Sequence, residues 1–251
     1  KVLKKLKNDY HKISSLITFC GPHDDMTITV TKDQKDNISF TGKFKKGINK
    51  KKNTITKLLY LLRKKGFFRN KKFKINIKKN VPHGSGLGGG SSNAANLLNF
   101  FNSKMKLKLN KNKLYKIANE VGFDVPIGLE KKNTLLTGKK GEILRFNRKF
   151  NFNILIVYPN LISSTKEIYE KNKKFSSYKS QSKINTFNQR QLINFLKQES
   201  NDLEKTVIKL HSKVRNIIDF MKIQNGCYFS RITGSGSACI GIFCNKKDAA
   251  Y

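Results

Sequence analysis

Apolar and polar residues alternate over Met26–Val30 and again over Phe73–Lys79, a period of two that predicts half-buried strands. Ile55, Leu58, Leu59 and Leu62 fall instead at i, i+3, i+4 and i+7, which predicts a helix with Asn53 as N-cap and Gly66 beyond its end. Leu114, Ile117, Ala118 and Val121 repeat that spacing, with Gly122 to stop it. Val207, Leu210, Val214, Ile217 and Met221 predict one longer helix. Phe152–Tyr158, stopped by Pro159, and Ala238–Phe243 are nearly continuous apolar runs and predict buried strands. Lys171–Gln198 is rich in Ser, Lys and Gln and reads as a surface loop with short helices. Strands and helices mix without strict alternation, so the fold class is α+β. A shift in composition near residue 150 sets the expected domain boundary, giving 1–150 and 151–251.

At 251 residues the chain suits one large domain or two small ones. No apolar run reaches the roughly 18 residues of a membrane-spanning helix. The net charge of +36, from 52 basic and 16 acidic residues, first suggests a nucleic-acid partner. Only seven of the basic residues are Arg, the side chain favoured for bidentate phosphate and base contacts. The lysines are also spread over most of the chain, so the charge reads as solvated surface that attracts anionic substrates at low salt. Cys20, Cys227, Cys239 and Cys244 form no Cys-x-x-Cys pair and the His residues do not gather near them. That argues against a zinc site or a disulfide framework and for a reducing, cytoplasmic setting. Lys1 to Lys7 is basic without a following apolar segment, unlike a signal peptide. The lack of an initiator Met, and an end soon after an apparent strand, lead us to expect a chain truncated at both ends.

Lysine is absent from three stretches, Val81–Ser103, Val121–Glu130 and Ser230–Cys244. The first holds Pro82, His83, Gly84, Ser85, Gly86, Leu87, Gly88, Gly89, Gly90, Ser91 and Ser92, between the Phe73–Lys79 strand and a helix carrying Ala94, Leu97, Leu98 and Phe101. Glycines there permit positive φ and expose backbone amides, and a helix start adds orphan N–H donors, so the segment reads as a phosphate cradle. The Gly84-x-Gly86-x-x-Gly89 spacing also fits a dinucleotide fingerprint, but no acidic residue follows about 20 positions on. A Walker loop would need a Lys after the glycines, and a bare linker would not lead straight into an amphipathic helix. In the second stretch, Asp124 stands in Gly122-Phe123-Asp124-Val125-Pro126, either as a turn residue before Pro126 or as a base for a substrate hydroxyl. In the third, Thr233, Gly234, Ser235 and Gly236 lead into the Ala238–Phe243 strand, either as a tight turn or as a second glycine loop packing on the first.

Together these segments resemble the GHMP superfamily of small-molecule kinases. Gly-Leu-Gly-Gly-Gly-Ser-Ser-Asn-Ala-Ala at 86–95 is similar to its phosphate loop, and most similar to the branch whose substrate carries a cytidyl diphosphate. Gly122–Pro126 resembles that branch's Gly-Ala-Asp-Val-Pro, with Phe for Ala, and Arg231–Ala238 its Arg-Leu/Met-Thr-Gly-Ser-Gly. The resemblance implies a GHMP kinase fold, with an N-terminal domain of ribosomal-protein-S5-domain-2-like type and a C-terminal α/β domain. It implies ATP along Pro82–Ser92, Mg²⁺ bridging the phosphates with no protein residue assigned to it, and Asp124 as the base. Tyr10-His11 resembles the branch's Tyr-His pair and Tyr169 its second aromatic, which implies that Tyr10, His11 and Tyr169 hold a cytosine ring. The implied partner is a small cytidyl substrate, with no nucleic acid and no membrane, for a monomer or homodimer. The superfamily branch also carries a catalytic Lys in an Ala-Lys-Ile/Leu-Asn-Leu segment ahead of Tyr-His. Tyr10-His11 comes too early here for that segment, and Lys4, Lys5 and Lys7 align after it. No residue is assigned that role, and the chain as it stands is expected to be crippled. Two rival readings are another GHMP alcohol kinase, opposed by Tyr10-His11 and the triple glycine, and a basic RNA-binding protein on an S5-like fold. The latter predicts RNA affinity with a steep salt slope and no nucleotide hydrolysis.

Overall fold

The period-two run around Phe73 does form a strand, and it sits at the middle of a sheet. In the computed structural model, residues 1–6, 11–137, 142–148, 150–177 and 182–250 are described. In chain order their elements begin with β1 (Val2–Lys5), β2 (His11–Ile13), β3 (Ser15–Ile17), β4 (Asp25–Thr31), β5 (Asn37–Thr41), α1 (Thr54–Lys64) and β6 (Lys72–Lys78). Next come α2 (Gly89–Lys104), α3 (Lys111–Val121), the single turn α4 (Val125–Gly128), β7 (Thr134–Leu136), β8 (Ile143–Arg145) and β9 (Asn153–Val157). The chain continues through α5 (Thr165–Lys171), α6 (Gln189–Gln198), α7 (Glu204–Leu210), α8 (Lys213–Lys222), β10 (Cys227–Ile232) and β11 (Cys239–Phe243).

Packing gathers the chain into two units. One holds Lys1–Phe19, Gly84–Leu87 and Lys132–Tyr251; the other holds Cys20–His83 and Gly88–Lys131. The units interleave along the sequence, crossing at 19/20, 83/84, 87/88 and 131/132. The boundary expected near residue 150 is by contrast a single linear cut.

In the second unit β6 pairs antiparallel with β4, Ile75 opposite Ile28, and parallel with β5, Ile75 opposite Ile38. Alternation puts Phe73, Ile75 and Ile77 on one fully buried face. They pack in one core with Leu58 and Leu62 of α1 and Leu97, Leu98 and Phe101 of α2. Each such side chain contributes about 1.5–3 kcal/mol on burial, which makes this layer the main support of α2. Helix α1 starts at a capping box: the Asn53 side chain accepts from the Ile55 and Thr56 amides, and the Asn53 amide donates to Thr56 Oγ1. Helix α3 starts at a simpler cap, the Asn110 side chain accepting from the Lys113 amide, and stops at Gly122.

In the first unit β9, β11 and β10 form one antiparallel sheet, β3, β7 and β8 a second, and β1 and β2 a two-stranded ribbon. Val2 of β1 completes a core made by Ile168, Leu203, Val207, Val214, Ile232 and Cys239. Leu16 of β3 packs against Leu135, Phe146, Ile184 and Leu192. The long helix expected over Val207–Met221 is two helices, α7 and α8. His211 leaves helical geometry at φ −139°, ψ 80°, and a new turn begins when the Val214 amide donates to His211 O. Val207 and Val214 are seven residues apart, so both helices still face one core and the apolar spacing does not betray the break. Within Lys171–Gln198, read as loop with short helices, α6 is a full ten-residue helix opened by an Asn188–Gln191 capping box and buried through Leu192.

Candidate active site

The glycine segment passes from one unit to the other and back, so each unit holds a part of it. In the second unit Pro82 is buried and the His83 ring donates from Nε2 to Lys46 O at 2.7 Å. Gly88 is the N-cap of α2 at φ 69°, a left-handed conformation that disfavours a side chain. With no side chain to cap the helix, Gly88 leaves the amides of Gly89, Gly90 and Ser91 without an intrahelical partner, since the first bond comes from Ser92 N to Gly88 O at 3.0 Å. These amides and the helix dipole suit an anion. A Cβ on Gly89 would lie 3.2 Å from Val81 Cγ1, so the helix begins in close contact with the strand exit. Thr54, the first residue of α1, donates from Oγ1 to Gly90 O at 2.8 Å. Its role was hidden in the sequence because a Thr after an N-cap Asn looks like part of the cap.

In the first unit Gly84–Leu87 lies backbone to backbone with the third-motif loop. Gly84 O accepts from Ser163 N at 2.8 Å, and Ser85 O from Ala238 N at 3.0 Å. A Cβ on Gly86 would run into Thr233 O and lie 2.9 Å from Gly236 N, while one on Gly234 would lie 2.8 Å from Gly86 O. The loop is closed by Gly236 N donating to Thr233 O and Thr233 N to Ala238 O, both at 2.9 Å. Ser235 Oγ meets Thr165 Oγ1 at 2.9 Å, tying the loop to the start of α5. Asn201, which carried no sequence signal, donates to Gly234 O at 2.8 Å. Tyr169 rides on α5, and its ring lies 4.9 Å from that of His11, tilted by 37°. Phe175 stacks beside His11 at 6.3 Å and 13°. Tyr10 lies outside the described residues.

Asp124 stands at the start of α4 in the second unit, and α4 is seated on α2: a Cβ on Gly128 would lie 2.8 Å from Ala95 Cβ and 3.4 Å from Ser92 Cα. Val125, Pro126, Ile127 and Gly128 are buried, so the turn is anchored, with Asp124 at its more exposed start. Among the described residues no hydrogen bond or ion pair reaches its carboxylate. Crowding by surrounding protein strips water from the carboxyl and raises its pKa above that of an ordinary Asp, with no cation opposing the shift. A carboxylate tuned upward and left unpartnered is suited to accept a proton. Among the described residues no three His, Cys, Asp or Glu side chains gather as a metal site. No helix among them is long and apolar enough to cross a membrane.

The fold and the two glycine loops place the chain among the GHMP kinases, and the family matches show it. The family of GHMP kinases N terminal domains matches residues 53–130, and that of GHMP kinases C terminal domains matches residues 177–250. The chain belongs to the 4-diphosphocytidyl-2-C-methyl-D-erythritol kinase family. A relative of that name from Pelagibacter ubique is 40% identical over 96% of this chain and 84% of its own length. Another, from Wolbachia pipientis wMel, is 32% identical over 99% of this chain and 86% of its own length. Among solved structures, 4-(cytidine 5'-diphospho)-2C-methyl-D-erythritol kinase shares the fold with a TM-score of 0.74 and 21% identity, over 99% of this chain and 87% of that one. Homoserine kinase from Cytophaga hutchinsonii shares it with a TM-score of 0.66 and 17% identity, over 92% and 79%. With its family, the chain is an ATP-dependent phosphotransferase.

Proposed function

We propose that this chain transfers the γ-phosphoryl group of ATP to the 2-hydroxyl of 4-diphosphocytidyl-2-C-methyl-D-erythritol, in non-mevalonate isoprenoid synthesis. The observation that carries the reading is the open first turn of α2, with an unpartnered Asp124 on the turn packed against that helix. Pro82 through Ser92 hold the triphosphate through backbone amides and the Ser91 and Ser92 hydroxyls, and Thr233–Gly236 brace Gly86. Asp124 orients the acceptor hydroxyl and takes its proton as the oxygen attacks phosphorus. Tyr10, His11 and Tyr169 hold the cytosine ring, the aromatics by stacking and the imidazole at the base edge. Bound ATP with Mg²⁺ on its phosphates supplies the phosphoryl group and neutralises its charge. By family, the division into 1–150 and 151–251 falls between the two matches, whereas packing divides the chain at 19/20, 83/84, 87/88 and 131/132. The partner is a small molecule rather than nucleic acid or membrane, the enzyme is a monomer or homodimer, and its setting is the cytoplasm.

The direct test follows ADP release by the chain with ATP, Mg²⁺ and the cytidyl substrate. Faster turnover of homoserine, galactose or mevalonate would sink the substrate assignment. Tyr169→Ala is expected to raise KM for the cytidyl substrate about tenfold, the loss of one aromatic stacking contact, while KM for ATP holds. An equal rise in both constants would remove Tyr169 from the cytosine subsite.

A further inference from the structure

Outside the groups already assigned, the second unit buries one charged cluster, and it flanks the glycine segment. Asp24 lies just before β4, one residue beyond the last β4–β6 pair, Asp25 opposite Lys78. Its side chain is 1% exposed and that of Lys79, its ion-pair partner, 4%. One carboxylate oxygen accepts the amides of Asn80 and Val81, each at 2.8 Å. The other accepts Lys79 Nζ and Asn93 Nδ2, the latter at 2.8 Å. Burial alone would raise the pKa of Asp24, but the donors from Lys79, Val81 and Asn93 hold it below the usual value.

These four donors come from two places. Lys79, Asn80 and Val81 form the exit of β6, directly before Pro82, and Asn93 is on the second turn of α2. The β4–β6 ladder has ended by this point, so it offers no acceptor to the Asn80 and Val81 amides. A Cβ on Gly89, the first residue of α2, would lie 3.2 Å from Val81 Cγ1 and 3.6 Å from Lys79 Nζ. The start of the helix therefore rests on the Val81 side chain, whose backbone amide Asp24 holds, and on the Lys79 ammonium, which Asp24 holds directly. We infer that Asp24 is a positioning residue for nucleotide binding, locking the strand exit to α2 so that the helix's first amides are aimed before the phosphates arrive. The inference rests on the ATP reading above, and its physical basis is that donors fixed in advance bind an anion without reorganising.

The test measures affinity for a non-hydrolysable ATP analogue and, separately, for the cytidyl substrate, by calorimetry on the whole chain. Replacing the ion pair together, Asp24→Leu with Lys79→Met, avoids stranding one buried charge. The double variant should unfold cooperatively, bind the ATP analogue at least tenfold more weakly, and bind the cytidyl substrate within twofold of the unaltered chain. Analogue affinity within twofold overturns the inference, as does a parallel loss of both affinities, which a merely structural role would produce. Should the double variant not fold, Asn93→Ala decides: a threefold or greater loss for the analogue alone supports the role, and no loss overturns it. If the unaltered chain itself binds no analogue, the kinase reading falls and takes this inference with it. If the unaltered chain binds and the variants bind equally well, only the inference falls.

Discussion

Asp124→Asn should lower kcat by about 10²- to 10⁴-fold, the usual contribution of a positioned general base, with KM for both substrates little changed. The carboxylate forms no structural bond among the described residues, so its loss removes chemistry and not support. A second consequence follows from the direction of its pKa. Folding raises the affinity of this group for its proton, so between the unfolded value near 3.8 and the higher folded value the native state binds more protons than the unfolded one. Native stability then declines as pH rises through that window, and at neutral pH Asp124 is a net cost. Asp124→Asn is accordingly expected to melt slightly higher than the unaltered chain at pH 7, and the gain should vanish in acid. In the unaltered enzyme kcat should fall on the acid side at a pH above that of an ordinary aspartate, as the base becomes protonated. A variant that keeps its rate within a few-fold would show that Asp124 is not the base.

The other large effect belongs to Gly86. Its φ of 78° is left-handed, and a Cβ there would meet the Thr233 carbonyl and the Gly236 amide, backbone atoms that no rotamer change can move aside. Overpacking of this kind costs about 1–3 kcal/mol and a left-handed non-glycine about 1–2 more, so Gly86→Ala should destabilise the chain by about 3 kcal/mol. For a chain of this size that is a fall of roughly 6–12 °C in Tm. Gly88 supplies the control. It has a similar φ, 69°, but nothing within 4 Å of a Cβ, so Gly88→Ala should cost only the backbone term, about 1–2 kcal/mol. Equal melting shifts for the two would mean that the loops at 86 and 233 do not meet as described.

What the sequence disclosed and what it hid have separate physical causes. The sheet strand around Phe73, the helices over Ile55–Leu62 and Leu114–Val121, and the glycine segment were legible because each is specified locally, by periodicity, caps and φ. The packing of Thr233–Gly236 on Gly84–Gly86 was anticipated from two small-residue loops, although neither loop contains the contact. The break at His211 was invisible because no Gly or Pro marks it and the apolar residues stay in phase across it. Asp24 was hidden for a different reason. A lone Asp before a strand looks like an exposed turn charge, and its partners Lys79 and Asn93 lie 55 and 69 residues further on. Nothing in the spacing of apolar positions reports a polar cluster assembled over that distance.

The placement of Val2 and Leu16 bears on any attempt to divide the protein. Both residues finish cores whose other members come from beyond residue 131. Expressing 151–251 alone would open a gap where Val2 packs and leave Ile184 and Leu192 without Leu16, Leu135 and Phe146. Expressing 1–150 alone would leave Val2 with nothing to cover it. A soluble half would have to be built as a fusion, joining residues 1–19 to the segment that begins at 132, rather than obtained by trimming.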